Sequence, residues 1–79
     1  MLSYELAYKD DTRVDYSYFI EGDRSKCGLV SFSFETGEPS IVKQAQDDRF
    51  NRYAFHLMSR LQEFFENGTF RKTGIVAWH

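Results

Sequence analysis

A chain of 79 residues has room for one hydrophobic core, because a domain of this size buries only about 60% of the surface its unfolded form exposes, so residues 1–79 are expected to form a single compact domain. Hydrophobic residues at 42% and aromatics at 18% exclude disorder, since each buried aromatic removes roughly 150–250 Å² from water. A net charge of −2 with scattered Lys and Arg, a start without a basic stretch and no long apolar run argue against a nucleic-acid-binding face, a secretory leader and a membrane span, and point to the cytoplasm.

Leu2 to Lys9 alternates, with Tyr4, Leu6 and Tyr8 on one side and Glu5 and Ala7 on the other, the period of a half-buried strand. Asp10-Asp11-Thr12-Arg13 is turn chemistry, because an Asp side chain bonds the nearby backbone. Val14 to Glu21 alternates again, setting Val14, Tyr16, Tyr18 and Ile20 against Asp15, Ser17 and Phe19. A polar loop from Gly22 to Gly28 then leads to a third strand, Leu29 to Phe34, with Val30, Phe32 and Phe34 on one face. Pairing Phe19 with Leu29 and Tyr18 with Val30 brings the large residues of both strands to the same side.

Glu35-Thr36-Gly37-Glu38 signals a hairpin, with Gly37 supplying a left-handed residue, and strand four follows at Ser40 to Ala45, with either Ile41 or Val42 inward according to a bulge. From Asp47 or Asp48 to Asn67 the period changes. Phe50, Tyr53, Ala54, Leu57, Met58, Leu61, Phe64 and Phe65 recur at three and four, the spacing of an amphipathic helix. The aspartates suit its start and Asn67-Gly68 its stop. Gly74 to His79 reads as a short last strand. The fold expected is α+β: a four-stranded antiparallel meander, one helix on one face, and a short fifth strand, in the order β-β-β-β-α-β, with the fifth strand either antiparallel beside the first, the preferred placement, or parallel beside the fourth. The other face, with Glu5, Asp15, Ser17, Ser31 and Ser33, is expected to be solvated.

No residue pattern points to catalysis, a cofactor or a metal. Cys27 has Arg24 and Lys26 nearby in sequence, but a nucleophile needs a base, and neither His56 nor His79 is brought to it. His56 reads as a solvated residue on the polar side of the helix, flanked at spacings of four by Arg52 and Arg60. Asp10-Asp11 and Asp47-Asp48 sit where a turn and a helix start need Asp, and no glycine cluster forms a phosphate loop. Tyr4, Tyr8, Tyr16 and Tyr18 resemble a base-stacking ladder, yet they share a side with Leu6, Ile20, Val30 and Phe32 and are expected beneath the helix.

Phe55 lies roughly 120° from the centre of the apolar stripe at about 100° per residue. With Met58 and Phe65 it makes a candidate partner-contact patch. The function expected is a non-enzymatic binding or assembly module for a protein partner or a second copy, using that patch or the edge of strand four. The alternatives are a single-strand nucleic-acid binder using the tyrosines and a small regulator of another protein.

Overall fold

A computed structural model describes residues 1–78 and resolves the alternating segments into β1 (Leu2–Lys9), β2 (Arg13–Ile20), β3 (Cys27–Ser33), β4 (Glu38–Lys43) and β5 (Thr73–Val76), with helix α1 at Arg52–Asn67. His79, expected in the last strand, lies outside the described residues. The sheet runs β4-β3-β2-β1-β5 with every neighbouring pair antiparallel, so β5 takes the place beside β1 and not the one beside β4. No described helix is long and apolar enough to cross a membrane.

The helix covers the face that carries the even-numbered large residues. Leu57 and Leu61, at the centre of its stripe, are fully buried with Phe32, Val30 and Val14. Phe64 meets Tyr4 at 5.9 Å and Tyr16 at 6.3 Å between ring centroids, and Phe70 extends the aromatic layer toward Phe34 at 5.4 Å. Edge and tilted rings at these separations add to what area burial alone supplies. The helix ends as its sequence indicates, with Gly68 at φ 73° donating its N–H to the carbonyls of Phe64 and Phe65, a left-handed stop that a side chain would strain.

Several details differ from the sequence expectation. β2 and β3 pair two residues further along, Tyr16 with Val30, Tyr18 with Gly28 and Phe19 with Cys27. The cause is a tighter turn: the Asp23 N–H bonds the Ile20 carbonyl at 2.8 Å and the Lys26 N–H bonds the Asp23 carbonyl at 3.0 Å, which frees Cys27 and Gly28 to join β3. A slip of two keeps every side chain on its face. β4 begins at Glu38 because the Gly37 N–H closes the hairpin on the Ser33 carbonyl at 2.9 Å. Ile41 pairs with Val30 and Lys43 with Leu29, so Val42 is the bulged residue and Ile41 the inward one.

A second bulge, at Ala7, pairs Leu6 with Tyr16 but Tyr8 with Asp15. Tyr8 therefore leaves the buried ladder for the opposite face, where it is exposed, donates to Asp10 at 2.6 Å and lies under the Arg13 guanidinium. The face away from the helix is also less open than its composition implies. Phe19 is buried there because Arg24 lays its guanidinium 4.4 Å from the ring while bonding Glu5 through both nitrogens.

Tyr16 and Tyr18 are fully enclosed. Burial raises both phenols above their ordinary value; at Tyr18 the Asp48 carboxylate adds to this and the Ala45 N–H partly offsets it. A folded-state pKa above the unfolded one, about 10, means that the stability from these groups is complete below that pH and is lost as pH rises past it. We expect phenolate absorbance to rise together with loss of circular dichroism above pH about 10, with the transition displaced to higher pH in Tyr16→Phe. Titration of all the tyrosines with the fold intact would contradict this.

Candidate functional site

The helix does not start at the aspartates. Asp48 is fully buried, and its carboxylate accepts the Tyr53 N–H at 2.8 Å, the Ala54 N–H at 3.1 Å and the Tyr18 hydroxyl at 2.7 Å. It caps two amides of the first helical turn from across an intervening 3-10 turn, Arg49–Asn51. Tyr18 in turn accepts the Ala45 N–H at 3.1 Å, so one carboxylate ties β2, the segment after β4 and the helix start together. Its neighbour Asp47 stays exposed and pairs with Lys26 at 3.1 Å.

Reaching both helical amides from Asp48 requires the chain to double back within three residues. Phe50 and Asn51 do this in the left-handed region, at φ 58° and 57°. Asn tolerates that region; a bulky residue such as Phe does so only where its surroundings impose it. The periodicity places Phe50 in the apolar stripe, but the left-handed turn ejects it, and it is 90% exposed. The non-glycine residues at positive φ among the described residues are Glu21, Asp47, Phe50 and Asn51. Three of them line one groove of about 720 Å³, within the roughly 300–1,000 Å³ usual for ligand sites.

Aromatic rings and charges share this groove. Trp78 stacks on His56 at 3.8 Å with 12° between planes and meets Tyr53 edge-on at 5.1 Å. His56 is thus half-buried against a ring, not the freely solvated residue its neighbours suggest. The Tyr53 hydroxyl and the Met1 amine both donate to Glu21, each at 2.9 Å. These bonds, the amine's first, hold the Glu21 carboxyl below its usual range. Glu21 and Asp47 are therefore each engaged by a partner within the protein. Arg49 and Arg52 also line the groove, and among the described residues neither has a carboxylate within ion-pair distance.

The patch expected from sequence lies elsewhere. At about 100° per residue, Met58 and His56 sit on opposite flanks of the Leu57 line, so Phe55, Met58 and Phe65 are on the far flank from the groove. Phe55 is half exposed, Met58 packs against the core, and Phe65 covers Phe32 at 5.0 Å and lies parallel to Phe34 at 6.2 Å. Phe55 and, to a lesser degree, Phe65 reach the surface, whereas Met58 is half-buried.

Strand four offers a blunted edge. Pro39 lacks an N–H, and the bulge at Val42 interrupts the spacing another strand would need. Tyr4, Tyr16 and Tyr18 are buried under the helix and present no stacking surface. Cys27 opens β3, pairs with Phe19 and so faces away from α1; the sheet separates it from His56. Arg24 and Lys26, its sequence neighbours, are bound to Glu5 and Asp47. Asp10 caps the β1–β2 turn by accepting the Thr12 and Arg13 N–H groups at 2.8 and 3.0 Å.

Phe50, Trp78 and the two arginines were not marked by spacing. Periodicity counted Phe50 as core, and nothing local announces a left-handed Phe. In comparisons with protein families, curated proteins and solved structures, nothing matches this chain.

Proposed function

We propose that the chain is a non-enzymatic protein-binding module that presents Phe50 and the adjoining groove to a partner protein. The observation that carries this reading is the solvent-exposed Phe50 on a left-handed backbone. Leaving a large apolar side chain in water forgoes roughly 1.5–3 kcal/mol that burial would return, and the strained turn adds a cost of order 1 kcal/mol. A partner pocket recovers the first of these, and aromatic anchors of this kind dominate interface energetics. The separation of Cys27 from His56 by the sheet supports a binding role over nucleophilic catalysis.

The test is affinity enrichment from the native host with wild type, Phe50→Ser and Phe55→Ser, all first shown to melt alike. We expect a protein retained by wild type and Phe55→Ser and lost with Phe50→Ser. Loss with Phe55→Ser alone would move the interface to the far flank of the helix. Retention of no protein above a bait-free control would overturn the reading.

A further inference from the structure

We propose that the groove beside Phe50 receives an acidic segment of the partner, its carboxylates held by Arg49 and Arg52 and its apolar portion laid against Phe50 and the Trp78 ring. The inference rests on the binding-module reading and names the chemistry of what that site takes.

Charge complementarity carries it. The whole chain is acidic, with a net charge of −2, yet the unmatched charge in the groove is positive. Glu21 is engaged by Tyr53 and the Met1 amine, and Asp47 by Lys26. Arg49 and Arg52 alone among the charged lining residues lack an ion-pair partner within the described residues. Neither arginine serves the helix it adjoins. The positive end of α1 is already met by the Asp48 carboxylate, which is buried and committed to its own three donors, so the two exposed arginines beside it are left for an external anion. Arginine also suits the task, since its planar guanidinium engages a carboxylate through two parallel hydrogen bonds.

Trp78 is the only tryptophan in the chain, so its fluorescence reports on the groove directly. The probes are three synthetic peptides in which Phe alternates with Glu, with Gln or with Lys, titrated into the full chain at low and high salt. We expect saturable fluorescence change with the Glu peptide, weakened by salt, and weakened about tenfold or more in the Arg49→Gln/Arg52→Gln variant, in keeping with loss of charge-assisted bonds. Both side chains are exposed, so that variant should melt like wild type.

Equal binding of the Gln or Lys peptide, no saturable change with the Glu peptide, or unchanged affinity in the double variant would overturn the inference. Tighter arginine-dependent binding of oligo-deoxythymidine would overturn it too, by making the occupant a nucleic acid. The partner enriched from the host separates the two levels. Retention by Arg49→Gln/Arg52→Gln with loss by Phe50→Ser rejects the acidic segment and leaves the module reading standing. Retention by both variants rejects both.

Discussion

Asp48→Ala should remove a large share of the protein's stability. The carboxylate is fully buried and serves three donors, the N–H groups of Tyr53 and Ala54 and the hydroxyl of Tyr18. Alanine leaves all three without a partner in a site closed to water, at a cost of about 1–3 kcal/mol for each group that cannot find another. Allowing for partial relaxation, the expected loss is roughly 3–5 kcal/mol. A chain of 79 residues has a total stability on the order of 4–12 kcal/mol at about 0.05–0.15 kcal/mol per residue, so the loss is a large share of the whole.

Asp48→Asn keeps one acceptor oxygen and should recover part of this. Urea denaturation of Asp48→Asn, Tyr18→Phe and the double variant should show strong non-additivity, because Tyr18 and Asp48 act through one bond. A loss below about 1 kcal/mol for Asp48→Ala would mean that the bond does not hold the helix start to the sheet.

Gly28→Ala should be the second most damaging change. Gly28 faces Tyr18 across the β2–β3 pairing, and the tyrosine ring lies flat over the position a Cβ would occupy, inside any real van der Waals contact. The ring has no room to give way, since its hydroxyl is fixed by Asp48 and by the Ala45 N–H. Alanine must therefore overpack the site, about 1–3 kcal/mol, and strain the buried hydrogen bonds, about 1–3 kcal/mol more.

Gly74 provides the comparison. It sits under the hydroxyl end of Tyr4 in the same way, but among the described residues no hydrogen bond anchors the Tyr4 hydroxyl, so this ring can give way. Gly74→Ala should cost about 1–2 kcal/mol. Thermal melts showing equal losses at the two glycines would indicate that simple overlap, and not the anchored Tyr18, sets the penalty.

The strand faces apart from that of Tyr8, the helix and the chain order were legible in the order of residues, whereas the place of β5 beside β1 was one of two that the order allowed. Which side of a strand or helix is apolar is written at periods of two and 3.6, and short loops leave few ways to connect such elements. Register was not legible to better than two residues, because a slip of two leaves every face unchanged, and only the Asp23 turn places Tyr18 over Gly28. The bulges at Ala7 and Val42 depend on how two strands match each other, which neither strand records alone; hence Tyr8 was assigned to the core and lies outside it.

The groove was beyond sequence for the same kind of reason. Asp47-Asp48 marks a helix start, but that Asp48 reaches Tyr18 on β2, and so forces the chain through a left-handed turn, is a tertiary event. That turn takes Phe50 out of the apolar stripe to which its spacing assigns it and sets it beside Arg49, Arg52 and Trp78. Periodic burial is encoded locally, whereas a strained, solvent-facing Phe exists only because a buried carboxylate has three donors to satisfy at once.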